Sequence, residues 1–243
     1  MSRSRMLMIV LIAAAVCMAS AGVGAAAATG YAEEEGSIQA TDDEGATNST
    51  SAVITVSGVS NVIYVPDDYT TIQAAVDAAS AGDTIYVLHG SYTVNVNKQL
   101  TLQGEGANVV TVTAASTSDH VFEVTANWVN INGFTVRGAT SRPKAGIYLG
   151  SGVGHCNISN NIASNNYYGI YYSIYLDSSS NNTLTSNTAS NNNRHGIDLW
   201  YSSSNNIYNN NVSNNGDGIS LGSSSSNSIT NNVMNSDGTC VFG

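Results

Sequence analysis

Gly196-Ile197-Asp198-Leu199, then Asn205-Asn206-Ile207, then Asn210-Asn211-Val212 forms one line of a repeat, and Gly218-Ile219-Ser220-Leu221, Ser226-Asn227-Ser228-Ile229, Asn231-Asn232-Val233 forms the next. Two earlier lines align with them. One is Gly146-Ile147-Tyr148-Leu149 with Cys156-Asn157-Ile158 and Asn160-Asn161-Ile162. The other reads Ile174-Tyr175-Leu176-Asp177 with Asn181-Asn182-Thr183-Leu184. On this alignment Ile147, Ile174, Ile197 and Ile219 lie 27, 23 and 22 residues apart, and Tyr167 to Tyr172 in the widest gap reads as a partial extra copy. Self-similarity at a fixed period is the signature of a repeat architecture. Three short apolar segments per line with no helix describe a three-sided coil, each coil stacked on the next at the ~4.8 Å spacing of neighbouring strands. In Ile-x-Leu the Ile and Leu point inward and the middle residue outward. Leucine-rich repeats have similar periods, but their Leu-rich consensus is absent and Asn dominates. Corners of such a coil need left-handed backbone, which Asn and Gly tolerate best. Asn at equivalent positions also stacks into amide ladders.

Upstream of the repeats the pattern changes. Val62-Ile63-Tyr64-Val65 reads as a strand, Pro66 and Asp67 as a turn, and Thr70 to Ala79 as a short helix with Ile72, Ala75, Val76 and Ala79 on one face. Thr70 or Thr71 can cap it. A strand Thr84 to Leu88 follows, then short strands at Tyr92–Val96, Leu100–Leu102, Val109–Val112, Val121–Val124, Val129–Ile131 and Phe134–Val136, punctuated by glycines. A lone amphipathic helix before many strands suits a lid over the end of an open β stack. The expected fold is all-β: a single-stranded parallel β-helix over 53–243 with three strands per coil, a cap at 60–88 and Asn-rich repeats at 145–238.

The N-terminus reads as an export signal over 1–28. Arg3 and Arg5 form its positive region, Met6 to Val16 its apolar stretch, and Ala19 to Ala28 the small-residue cleavage zone. The apolar stretch is too short for a comfortable membrane span. Residues 29–52 read as an acidic disordered linker containing Glu33, Glu34, Glu35, Asp42, Asp43 and Glu44. These readings place the mature chain outside the cell or on its surface, with no membrane insertion.

The net charge is -10, and only 10% of residues are charged. Nucleic acid and anionic membrane surfaces need clustered cations, so neither is an expected partner. The missing polarity comes from Asn, Ser and Thr. Export permits a disulfide between Cys156 and Cys240, but they lie on different repeats and read as free buried thiols.

The stretch Tyr69 to Val87, with Thr70-Thr71-Ile72-Gln73-Ala74-Ala75-Val76-Asp77-Ala78-Ala79 followed by Ala81-Gly82-Asp83-Thr84, resembles the N-terminal cap and first strand of pectin-lyase-like proteins. The Gly-Ile-x-Leu and Asn-Asn-x-Ile repeats resemble the NosD-type, carbohydrate-binding and sugar-hydrolase (CASH) branch. The resemblance covers roughly Ser60 to Gly238 and implies a right-handed coil. It is specific for fold, and fold does not give function.

Two candidate sites follow. In the first, the outward column Tyr148, Tyr175, Asp198 and Ser220, with Trp200 and Tyr201 nearby in sequence, offers the aromatic faces, carboxylate and hydroxyls of a sugar-binding surface. Tyrosine is also simply a good strand former on an exposed face. In the second, His195, Asp217 and Asp237 each precede a glycine, and on consecutive coils at one corner Asp217 and Asp237 would hold Ca²⁺ or act as an acid/base pair. Asp before Gly is equally an ordinary turn signal.

The resemblance sharpens what to look for. Lyases like pectate lyase use Ca²⁺-binding Asp clusters with a catalytic Arg or Lys, and hydrolases of the fold use paired Asp. Arg137, Arg142, Lys144 and Arg194 are the only cations past Lys98, and none sits in a matching motif. Copper handling, which the NosD name implies, finds no cluster among Met234, Cys156, Cys240, His89, His120, His155 and His195. No cofactor is expected. Four glycosylation acceptors occur at Asn48, Asn157, Asn181 and Asn211.

Three functions remain open. The first is a structural or carbohydrate-binding surface module whose partner is a polysaccharide or cell-surface glycan. The second is a polysaccharide lyase or glycoside hydrolase. The third is a surface subunit that self-associates end to end through its C-terminal coil, where Asp237 to Gly243 starts another turn with no cap helix.

Overall fold

The computed structural model describes residues 60–89, 93–172 and 179–239, all within one compact unit, Gly58–Gly243. The export segment, the acidic linker, Val53, Tyr92, Tyr175, Cys240 and the acceptor Asn48 lie outside the described residues.

The chain winds through three sheets in turn, and every pairing between strands is parallel. The first sheet has eight strands: Val62–Val65, Thr84–Val87, Thr101–Gly104, Asn130–Asn132, Asn157–Ser159, Thr183–Thr185, Asn206–Tyr208 and Ser228–Thr230. The second has six, from Thr111–Thr113 to Val233–Asn235. The third has six: Val94–Val96, Phe122–Val124, Ala145–Leu149, Tyr168–Tyr172, His195–Trp200 and Asp217–Gly222. This is the expected solenoid with three strands per coil. Its core is a stack of equivalent apolar residues, such as Ile131, Ile158, Leu184 and Ile207, all fully buried. Each such side chain contributes about 1.5–3 kcal/mol by leaving water.

One line of the repeat is corrected. The strand beside Ala145–Leu149 is Tyr168–Tyr172, and Ile170 pairs with both Ile147 and Ile197. The stacked isoleucines are therefore Ile147, Ile170, Ile197 and Ile219, spaced 23, 27 and 22 residues apart. Ile174-Tyr175-Leu176 imitates the pattern but lacks the glycine before its isoleucine. That glycine is a steric requirement. A Cβ on Gly169 would run into the Gly196 carbonyl and lie 2.9 Å from Asn192 Nδ2; one on Gly146 would lie 2.8 Å from Asn166 Nδ2.

Buried asparagines line the three corners. Asn161, Asn187, Asn210 and Asn232 form one ladder. Each Oδ1 accepts from a backbone N–H of the coil before it: Phe134, Asn161, Asn187 and Asn210 respectively, at 2.9–3.0 Å. Each Nδ2 donates to a carbonyl of that same earlier coil: Ile131, Ile158, Leu184 and Ile207. Asn166, Asn192 and Asn215 repeat this at the second corner, and Asn182, Asn205 and Asn227 at the third. A buried polar side chain is stable only when so satisfied. Cys156 takes the corner position one coil before Asn182. Its Sγ accepts from Val129 N–H at 3.4 Å, so the thiol stands in for an amide. Burial pushes its pKa up to about 11, so it stays protonated, and it forms no disulfide.

The helix Ile72–Ala78 covers the first coil, and Thr71 Oγ1 caps it by accepting from Ala74 N–H. Gln73 takes the place of a missing neighbour strand: its Oε1 accepts from Asn95 N–H at 2.8 Å, and its Nε2 donates to Asn95 O. Lys98 Nζ donates to the helix-end carbonyls of Val76, Asp77 and Ala79 at 2.8–3.0 Å, where a cation also opposes the helix dipole.

Candidate functional site: the outer face of the third sheet

The conserved geometry of Gly-Ile-x-Leu strands sets two columns on the outer face of the third sheet. The residue between the inward Ile and Leu gives one column. Glu123, Tyr148, Tyr171, Asp198 and Ser220 fall in register there, so Tyr171 occupies the place assigned to Tyr175. The residue before the glycine gives the other column. Tyr168 aligns with Ala145, and His195 with Asp217.

The two columns meet at His195. Its Nδ1 lies 3.1 Å from Asp198 Oδ2, and its Nε2 lies 3.1 Å from Asp217 Oδ2 on the next coil. The Tyr168 ring meets the imidazole edge-on with centroids 5.4 Å apart. Asp198 faces away from the core yet is only 3% exposed, and its Oδ1 has no hydrogen-bond partner. The Nδ1 of His195 likewise makes a close contact with Asp198 without an aligned hydrogen bond. An imidazole between two carboxylates can pass a proton or hold a hydroxyl group. The carboxylates of Asp198 and Asp217 thus flank one imidazole at its two nitrogens, and Arg194 is next in sequence to His195.

Asp237 does not join them. Its Oδ1 accepts from the backbone N–H and the Nδ2 of Asn215, at 2.8 and 3.0 Å. It therefore ends the corner ladder Asn166–Asn192–Asn215, two positions out of step with Asp217. Three Asp/His-Gly pairs share a sequence signal, but the amide ladder fixes the register and separates Asp237 from Asp217. Asp217 and Asp237 therefore do not share one column: Asp237 stacks on Asn215, and the coil after Asp217 continues at Thr239. As an aspartate, Asp237 lacks the donor its ladder-mates supply, and its buried Oδ2 has no partner. At the equivalent place one coil earlier, Asn215 Nδ2 donates to Ala189 O at 3.0 Å. Asp237→Asn should supply the missing donor and raise stability by about 1 kcal/mol, read as a higher urea midpoint at unchanged slope. A lower midpoint would contradict the ladder assignment.

Trp200 ends the strand that carries Asp198. It is 46% exposed, lies over Gly222 of the next coil and meets Tyr201 edge-on at 5.8 Å. Tyr148 stacks on His120 with centroids 4.2 Å apart and 14° between planes. His120 and Tyr168 were not picked out from the sequence. The signal for Tyr168 was the Tyr168-Gly169-Ile170 match to His195-Gly196-Ile197.

His120 Nδ1 accepts from Ala145 N–H at 3.1 Å, which requires a lone pair on that nitrogen. Burial, then the charge of Lys144, lower its pKa to about 3. A depressed histidine pKa means that the unfolded chain protonates first. The stabilising contribution is therefore complete above pH 6.5 and is lost as pH falls from 6.5 towards 3, by up to about 1.4 kcal/mol per unit. In an NMR titration the His120 ring signals should stay those of neutral imidazole down to about pH 4. Protonation near pH 6.5 would rule out this environment.

The three described glycosylation acceptors, Asn157, Asn181 and Asn211, are all exposed, outside the buried ladders.

Comparison with known proteins adds three findings. The family model described as "Periplasmic copper-binding protein (NosD)" matches residues 76–242. A cell surface glycoprotein of Methanothermus fervidus is 36% identical over 122 residues, which is 46% of this chain and 19% of that protein. The chain thus spans about a fifth of the length of this relative. The A-module of the mannuronan C-5 epimerase AlgE4 of Azotobacter vinelandii superposes with a TM-score of 0.28 at 12% identity, covering 71% of this chain and 92% of that one. At that score the superposition carries no argument about chemistry.

Among the described residues, none of the side chains that could take the copper of the family description is gathered into a site. No group of three or more His, Cys, Asp or Glu among the described residues is arranged to hold a metal ion. His120 is committed to a backbone N–H, His155 stacks on Trp128, and the Cys156 thiol is buried and protonated. Soft copper ligation needs such side chains clustered and free.

Proposed function

The chain belongs to the NosD family, and on that premise we propose that it is a surface-displayed β-helix that binds a glycan on the outer face of its third sheet. The observation that carries this reading is that Tyr148 and the exposed Trp200 lie on one face, on coils two rungs apart. Aromatic faces offer stacking to the C–H face of a sugar. The name of the Methanothermus relative supports a place at the cell surface, with residues 1–28 directing export. The -10 charge keeps such a chain off anionic membranes.

A second reading is favoured by His195. Held 3.1 Å from each of two carboxylates, it suits acid/base work in a polysaccharide lyase or glycoside hydrolase.

A glycan array combined with a depolymerisation screen, run with and without Ca²⁺, separates the two. Retention on a defined polysaccharide without new chain ends, weakened by Trp200→Ala, is the expected result. New reducing or unsaturated ends that disappear in His195→Gln would replace it with the enzyme reading. Neither retention nor cleavage would leave a purely structural module.

A further inference from the structure

Fifteen non-glycine residues among those described have positive φ, and twelve of them are Asn or Ser. The other three are Trp128, His155 and Tyr201, at φ 62°, 61° and 50°. Bulky side chains are disfavoured in this region, whereas Asn adopts it readily. Strain kept at particular positions is a pointer to function. All three lie where the chain passes from the third sheet to the first, and all three are exposed, Trp128 by 54% and Tyr201 by 50%.

Trp128 and His155 occupy the same position on consecutive coils. Their rings stack with centroids 4.2 Å apart and 8° between planes. The column continues through Asn181, Ser204 and Ser226, which are exposed and also left-handed. Ser204 lies three rungs from Trp128, and Trp200 and Tyr201 are on its coil. The two aromatic groups are therefore separated by about 14 Å along the solenoid axis, with amide and hydroxyl groups between them.

We propose that the Trp128–His155 stack is a second sugar-binding platform, so that one polysaccharide chain runs along this corner from Trp200 and Tyr201 to Trp128. This inference rests on the glycan-binding reading and deepens it: the ligand is an extended polymer, not a terminal sugar. An extended pyranose chain advances by about one rung per residue, so several sugars span the gap. Each ring of the stack covers one face of the other, so sugars meet the outward edges of the pair and the remaining Trp128 face, and the Asn and Ser between the two aromatic groups meet hydroxyls. Carboxylates are absent from this column, so the polymer need not be charged.

The test uses cello-, chito- and xylo-oligosaccharides of two and six residues, titrated calorimetrically against the whole chain. Trp128→Asn is the decisive variant, because Asn181 already fits this backbone two coils on. Relief of the left-handed strain offsets the lost ring stack, so the melting temperature should hold within ~3 °C. Affinity for the best hexasaccharide should fall about tenfold, while that for the matching disaccharide should not change. In Trp200→Phe, Trp128 is the one remaining tryptophan, and its emission should shift on adding hexasaccharide. Unchanged hexasaccharide affinity in Trp128→Asn, or a large loss of stability that marks the stack as structural, overturns this inference alone. If the unaltered chain binds none of the oligosaccharides, the glycan-binding reading falls with it.

Discussion

Leucine in place of Asn187 should lower the unfolding free energy by about 4 kcal/mol, although leucine fills nearly the same space. Asn187 is only 1% exposed and has four partners. Its Oδ1 accepts from Asn161 N–H at 3.0 Å and from Asn161 Nδ2 at 3.2 Å. Its Nδ2 donates to Ile158 O at 2.8 Å and to Asn210 Oδ1 at 3.1 Å, and its own N–H also donates to Asn210 Oδ1. Leucine keeps only the last of these. The Asn161 N–H then remains buried without a partner, at a cost of about 1–3 kcal/mol, and the Ile158 carbonyl and Asn161 Nδ2 each lose one bond. Asn187→Asp preserves the acceptor but turns a buried carboxylate oxygen towards the Ile158 and Asn210 oxygens, so it should cost at least as much as leucine. Chemical denaturation of the three proteins checks the order. A leucine variant within 1 kcal/mol of the parent would mean that the amide ladder adds little beyond packing.

Alanine in place of Gly196 should cost about 3 kcal/mol or more, a severe case of overpacking. The new Cβ would lie 2.5 Å from Val212 Cγ1, 2.8 Å from Asn215 Nδ2 and 3.0 Å from the Gly218 carbonyl. All three neighbours are fixed, two by the next coil's backbone and ladder and one by the core. The displacement would also part His195 from Asp217, so the His195 ring signals should move in an NMR spectrum. Gly152 is the control. It has φ +73° but nothing within 4 Å of a built Cβ, so alanine there should cost only about 1 kcal/mol. Equal losses at the two glycines would show that backbone strain, not close approach, makes Gly196 necessary.

Much of the fold could be read without coordinates because the repeat carries several independent signals at once. Ile and Leu mark the inward positions, and paired asparagines mark the corners. The helix and its Thr71 cap were legible in the same way, since helical spacing and a capping residue agree. The misaligned line at Ile174 had a physical cause. Two adjacent Ile-Tyr segments both satisfy an alternating pattern, and only the close approach at Gly169 separates them. The candidate site was legible in part. The outward position of Asp198 follows from strand alternation, and the stacking of His195 on Asp217 from the repeat. The separation of Asp237 from Asp217 depends on ladder hydrogen bonds two residues apart. No local pattern encodes that difference, because Asp and Asn look alike at a turn. The contact of His195 with Asp198, three residues along one strand, departs from strict strand alternation and so could not be read from the pattern.

The ladders all point one way. Each ladder Oδ1 accepts only from the coil that precedes it, while the Nδ2 donates back to a carbonyl of that coil and, at Asn161, Asn187 and Asn210, also forward to the Oδ1 of the next coil. A newly added turn therefore completes its predecessor and leaves its own corner groups open for its successor. Growth of this kind is polar, like a polymer with distinct plus and minus ends. The helix-covered end nucleates, and later turns are templated in the order in which synthesis delivers them. A kinetic record should show protection against amide exchange advancing from Val94 towards Val233. For the same reason whole turns are interchangeable units of length: a lineage can lengthen or shorten such a stack by one turn while the chemistry of every junction stays the same.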